Sequence, residues 1–351
     1  MYQLWFHRLS SFRQMTSFLP MSGVINRFAV IFADALLSLY FRYCGLSKSV
    51  VDLDDNQTTM HIWTPTNRYC NKPNLVLIHG FGGNSKWQFL FQSKGLVGND
   101  RIHRETWVGS LSQTSITSKF TVVRELSRDF NMYIPDLVFF GESYSLKPDR
   151  SDRFQANCVC NGMKKMKVDK FSVYAISYGG FVGYRMAEMH EDMVEKMVIV
   201  SSGIVCKYDR KLEHVEKIGR SVVDLLVAKT PEDLRLLCRM SIHKYDVGRW
   251  IPDCFLWGFI HSECCRKEKE EMVEELLREK HEVDVPVLAQ ETLLVWGEND
   301  TVFPLDWAYQ LQRHLGGKSK LEIIRNVGHA VNFEAPYSLN RYITSFVLGC
   351  A

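Results

Sequence analysis

Three side chains in this sequence have the types and surroundings that nucleophilic catalysis needs: Ser177, Asp300 and His329. Ser177 stands in Ala175-x-Ser177-x-Gly179, with Gly180 and Gly183 following, at the end of the apolar run 171–175. Such a setting predicts a nucleophile elbow, in which serine projects from a strained strand-to-helix turn between small neighbours. Asp300 ends Gly297-Glu298-Asn299-Asp300 after the apolar run 292–296, and His329 ends Asn326-Val327-Gly328-His329 after 321–324. A histidine takes the serine proton and an acid orients the imidazole, which is the chemistry of acyl transfer. Glu298 is the alternative acid; Asp300 is preferred because it lies deeper in the loop after the strand.

An oxyanion needs donors. His79-Gly80-Phe81-Gly82-Gly83 follows the apolar run 75–78, and its backbone can aim the Phe81 amide. The second donor is the amide of Tyr178, next to the nucleophile. Each such donor is worth ~10²–10³ in rate. The glycine spacing fails the dinucleotide fingerprint. Ten cysteines are scattered with neither zinc-finger nor redox spacing, so no metal and no cofactor is expected.

These residues need elements to hold them. Short apolar runs end at each polar site, and helical patterns at 154–167, 179–190, 305–315 and 335–348 lie between them. Continuous apolar strands alternating with helices predict an α/β fold with a mostly parallel sheet covered on both faces. Runs 50–53 and 59–63 around Asp54-Asp55-Asn56 read as a hairpin. Residues 204–290 read as helices at 207–229, 231–243 and 255–280, a lid over the strand ends. Its Trp250, Phe255, Leu256, Trp257 and Phe259 suit a lipid-like or aromatic acyl group. Residues 93–122 carry no period and read as an insertion, either genuine or retained from the gene model.

The N-terminal segment 1–46 stands apart. Residues 1–33 hold Arg8, Arg13 and Arg27 and no acid, as transit peptides do. Residues 22–46 predict an amphipathic helix with Val24, Ile25, Phe28, Ile31, Phe32, Ala35, Leu36 and Leu39 on one side. Arg27, Asp34, Ser38 and Arg42 fall opposite. Arg27 and Asp34 make it a poor bilayer span. It lies in a membrane interface or packs on the domain's own surface. A cytoplasmic or peripheral cytosolic-face location is expected, with an organelle as the alternative.

With 351 residues, a net charge of +3 and 46% hydrophobic residues, the chain is an ordinary globular one. That balance gives nucleic acid no electrostatic footprint. A monomer is expected.

The motifs "LVLIHGFGGNSKWQF", "YIPDLVFFGESYS", "AISYGGFVGYRMAEM", "LLVWGENDTVFP" and "NVGHAVNFEAP" together resemble the α/β-hydrolase fold superfamily over about 45–350. The resemblance is to plant-type hydrolases similar to monoacylglycerol-lipase-like and epoxide-hydrolase-like proteins. It implies an eight-stranded sheet, the triad order Ser177, Asp300, His329, and a turn shaped by Asp136, Gly141 and Ser143. Core parts at 47–203 and 291–351 would flank the 204–290 lid. Ala175 departs from the family's usual glycine. A serine nucleophile argues against epoxide opening, so the expected activity is a serine esterase or lipase cleaving carboxylic esters, monoacylglycerol among them. The alternative is a small-molecule, hormone-like receptor on a hydrolase scaffold.

Overall fold

The computed structural model describes residues 23–93, 126–205, 219–278 and 285–349. The N-terminal arginines Arg8 and Arg13 and nearly all of the 93–122 insertion lie outside the described residues, as does most of the helix expected at 207–229.

The chain opens with α1 (Gly23–Tyr43), then the hairpin β1 (Leu46–Asp52) and β2 (Thr58–Pro65), and β3 (Asn74–Ile78). Short helices α2 (Ser85–Gln88), α3 (Leu90–Ser93) and α4 (Leu126–Asp129) lead to β4 (Asn131–Pro135) and β5 (Tyr144–Ser145). There follow α5 (Asp152–Lys165), β6 (Phe171–Ile176), α6 (Tyr178–Met189) and β7 (Val194–Val200). The cap described between β7 and β8 holds α7 (Val222–Leu226), α8 (Pro231–Ser241), α9 (Asp253–Ser262) and α10 (Arg266–Arg278). The chain closes with β8 (Glu291–Gly297), α11 (Leu305–Leu315), β9 (Ser319–Ile324), α12 (Val331–Glu334) and α13 (Pro336–Leu348).

The sheet runs β1-β2-β4-β3-β6-β7-β8-β9. Pairing is antiparallel for β1–β2 and β2–β4, and parallel from β4–β3 through β8–β9. One correction to the expected count of eight is needed. The two-residue β5 adds a ninth strand off the main path by pairing with β2. Its segment follows a tight turn rather than an apolar run, so no periodicity marks it. The hairpin turn has Asp55 and Asn56 at φ 55° and 65°, the left-handed region that short polar side chains tolerate.

Alternation sends successive strand residues to opposite faces. Val173, Ala175, Ile199 and Trp296 join the core beneath α5, α6 and α11. Tyr174, Ile176, Val198 and Val295 join the other core, beneath α4, α13 and the end of α1. Two-sided burial is why these strands read as unbroken apolar runs.

The cap departs from the sequence reading in one place. The expected helix at 255–280 is two helices, because the chain breaks at Glu263–Cys265, where Cys265 takes φ 54°.

The helix α1 also corrects the expectation for its charged side. Asp34 faces the domain, with its carboxylate 2.5 Å from the Lys86 Nζ, and Ser38 accepts from the same ammonium at 3.0 Å. Val30 and Phe41 are buried on the same stripe, and Phe41 stacks edge-on against Trp63. Phe28, Ile31, Phe32, Leu36 and Leu39 point outward, 49–65% exposed. A buried lysine, invisible in the helix's own periodicity, decides which side turns inward.

Candidate active site

Parallel strands deliver their carboxyl ends to one edge of the sheet, and loops there carry the polar side chains. Ser177 follows β6 directly at φ 57° and ψ −123°, a conformation that projects its side chain out of the turn. Small neighbours make that turn possible. A methyl added at Gly179 would lie 2.4 Å from the Ile78 carbonyl oxygen. The unusual Ala175 is accommodated because Gly183 faces it: a Cβ there would come within 2.8 Å of the Ala175 methyl.

Three loop ends meet at the serine. His329 Nε2 lies 3.0 Å from the Ser177 Oγ, and His329 Nδ1 lies 3.0 Å from an Asp300 carboxylate oxygen. The other Asp300 oxygen accepts from the amides of Val302 and Phe303 at 2.9 and 2.8 Å, which locks the carboxylate. With the carboxylate accepting from Nδ1, Nε2 is the lone-pair nitrogen facing the hydroxyl. Glu298, the alternative acid, turns away and accepts from the Asn326 amide instead.

The glycine-rich loop is fixed through two side chains, His79 and Gln88. His79 is buried, and its Nε2 accepts from the Leu137 amide at 3.0 Å while Nδ1 lies 2.8 Å from the Gly80 carbonyl. Burial pushes its pKa down to about 4, so it is a neutral brace with both ring nitrogens used. Gly80 donates its amide to the Gln88 side-chain oxygen at 2.7 Å. Phe81 stacks edge-on against Tyr178, the residue after the serine, at 5.4 Å. Gly82 and Gly83 follow with φ of 104° and 140°. Gly180 sits in the first turn of α6 and donates its amide to the Ser177 carbonyl. Asp136 and Ser143 belong to the neighbouring turn: Ser143 Oγ donates to the Asp136 carbonyl, and an Asp136 carboxylate oxygen accepts from the Ser85 amide. A methyl on Gly141 would strike that carboxylate.

A family model described as the alpha/beta hydrolase fold matches residues 73–235. Monoacylglycerol lipase abhd6-B of Xenopus laevis is 22% identical, over 95% of this chain and 92% of its own length. The human monoacylglycerol lipase of the same kind is 21% identical, over 94% and 91%. Among solved structures, a bacterial membrane phospholipase A superposes with a TM-score of 0.68 at 18% identity, covering 99% of both chains. An esterase from Exiguobacterium antarcticum does so at 0.62 and 14%, covering 86% of this chain and all of that one. The chain has the α/β-hydrolase fold.

Above Ser177 and His329, this hydrolase holds an apolar cavity of about 350 Å³ between sheet edge and cap. Leu237, Ile251, Phe255, Leu256 and Phe259 contribute walls. Of the cap aromatics expected to matter, Trp250 and Trp257 do not line it and are partly exposed, at 42% and 37%. They sit on the outer side of their helical turns. Arg266 laces the cap, donating to the carbonyls of Val227, Ala228 and Ile260 at 3.0–3.2 Å. Sequence reading missed Gln88 and Arg266. Gln88 follows the glycine loop by one turn, a spacing that hinted at its reach back to Gly80. Nothing local marks Arg266 within a charged run. Among the described residues, no group of histidines, cysteines and acids is placed to hold a metal.

Proposed function

We propose that this hydrolase is a serine esterase that cleaves lipid-like carboxylic esters, monoacylglycerol among them. The observation that carries the reading is the Ser177–His329–Asp300 relay, with both spacings at 3.0 Å, at the base of an apolar cavity. Ser177 Oγ attacks the ester carbonyl carbon while His329 Nε2 takes its proton. Asp300 holds the imidazole in the required tautomer and stabilises the imidazolium. The amides of Phe81 and Tyr178 receive the oxyanion. The C–O bond to the alcohol then breaks, and His329 returns the proton to the leaving oxygen. Water, deprotonated by the same imidazole, attacks the acyl-serine and releases the acid.

The cap acts as a lid in this reading. The apolar walls support an alkyl acyl group, and the matches to monoacylglycerol lipases support the same class. The outward stripe Phe28, Ile31, Phe32, Leu36 and Leu39 supports peripheral membrane contact, since exposed apolar patches of this kind mark interaction surfaces. The likeness to a membrane phospholipase points the same way. Among the described residues, no helix is long and apolar enough to cross a membrane.

The test is turnover. The full chain, given 1-dodecanoylglycerol and p-nitrophenyl dodecanoate, is expected to release many equivalents of acid per protein. Release of a single equivalent followed by arrest would overturn the esterase reading in favour of ligand capture by a receptor.

A further inference from the structure

The cap helix α8 ends on the two loops that carry the proposed acid and base. A helix leaves its last four carbonyls without partners inside the helix. At the end of α8 the Met240 carbonyl accepts from the Thr301 hydroxyl and the Ser241 carbonyl from the Ala330 amide, both at 2.8 Å. Thr301 follows Asp300, and Ala330 follows His329. Beyond the helix, the amides of His243 and Lys244 turn onto the Glu334 carboxylate, at 3.1 and 2.7 Å. The oxygen that takes the His243 amide also accepts from the amide of Gly328, at 2.7 Å. Gly328 directly precedes His329.

We infer that Glu334 is a positioning residue whose carboxylate holds the general base and one wall of the acyl cavity in a single register. The inference rests on the relay and the acyl cavity of the proposed function, and it names what couples them. The inner side of α8 supplies the wall: Leu234, Leu237, Cys238 and Ser241 line the cavity over Ser177 at the spacing of one helix stripe. A carboxylate that gathers three amides makes charge-assisted bonds, about twice as strong as neutral ones. Cap and loop also meet without slack. A methyl added at Gly328 would lie 2.9 Å from the His243 nitrogen and from the Ser241 carbonyl oxygen, and 3.0 Å from the Glu334 carboxylate. An acyl chain pressing on α8 therefore bears on the residue next to His329.

Glu298 supplies the contrast. It too accepts an amide of the histidine loop, that of Asn326 at 2.9 Å, but this bond joins two core loops and leaves the cap out. A carboxylate that merely ties down the loop would behave like Glu298. One that sets the register would change both the reactivity of Ser177 and its response to chain length.

The test reads phosphonylation of Ser177, which needs no turnover, so it separates failure of this inference from failure of the esterase reading. Second-order labelling rates of the full chain are compared for an ethyl and a dodecyl fluorophosphonate. In folded Glu334→Ala the ethyl rate is expected to fall about tenfold or more, because small misplacements of a catalytic group are costly. Glu334→Gln keeps one oxygen for the Gly328 and His243 amides and loses the acceptor for Lys244. Its ethyl rate is expected to stay within about threefold of the parent. Its preference for the dodecyl probe is expected to drop at least about threefold, since the cavity wall shifts. In Glu298→Ala both rates are expected to stay within about twofold. A Glu334→Ala ethyl rate within twofold of the parent, an unchanged dodecyl preference in Glu334→Gln, or an equal loss in Glu298→Ala would overturn the inference. A parent without any preference for the dodecyl probe would overturn the lipid-ester reading instead, and the ethyl rates would still decide on Glu334.

Discussion

The strand-end turns and the N-terminal helix were built by different rules. Ser177, Asp300 and His329 each follow the carboxyl end of a parallel strand within a few residues, so the backbone of the sheet brings them to one edge. Their neighbours in sequence announce the arrangement. On α1 the orientation is decided from outside: Lys86, carried by α2, needs an acid, and Asp34 supplies it. The helix turns Asp34 and Ser38 inward with Val30 and Phe41, and leaves Phe28, Phe32 and Leu36 in the open. Local pattern locates a site fixed by the backbone, but it locates a helix face only when no distant charge competes for it.

The largest expected effect falls at the strand-end turns. Asp300→Asn should lower ester turnover by ~10³–10⁴, as loss of a triad acid does elsewhere. Glu298→Gln, which touches only the Asn326 amide, should stay within about twofold of the parent, a surface-scale effect. Steady-state rates of the two variants check this, and a larger loss for Glu298→Gln would reverse the assignment of the acid.

The helix provides the opposing case. Asp34→Leu strips the partner from a buried lysine and should lower the melting temperature by several degrees, since an uncompensated buried charge is costly. Leu36→Ser, on the outward stripe, should leave the melting temperature within about a degree or two. The second change should instead weaken flotation with lipid vesicles, most clearly when combined with Phe28→Ser and Phe32→Ser. If Leu36→Ser proves the more destabilising, the apolar side packs on the domain after all.

A smaller effect lies under the glycine loop. His79 has a folded pKa of about 4, below the ordinary value of 6.5. The unfolded chain therefore binds more protons between those values, and stability falls as pH drops through that window. His79→Asn should be less stable at neutral pH, yet show a flatter decline in melting temperature from pH 6.5 to pH 4. An unchanged slope would show that His79 is not the buried neutral brace.

The same contrast explains what was legible. The strands, the hairpin and the order of the polar residues follow from runs of buried apolar residues and their turns. The short β5 was not legible, because a two-residue strand has no period. Nor was the cap's break at Cys265, since a left-handed residue other than glycine leaves no mark in composition. Of the site, Ser177, Asp300, His329 and the glycine loop stood out by position. Gln88 and Arg266 did not, because their partners are carbonyls and amides contributed by other elements.

The central claim is that Ser177 is the nucleophile of this hydrolase. A fluorophosphonate probe followed by peptide mass spectrometry tests it most directly. The account predicts one modified residue, Ser177, with labelling and ester hydrolysis both abolished in a folded Ser177→Ala variant. Labelling at another serine, or hydrolysis that survives Ser177→Ala, would contradict it.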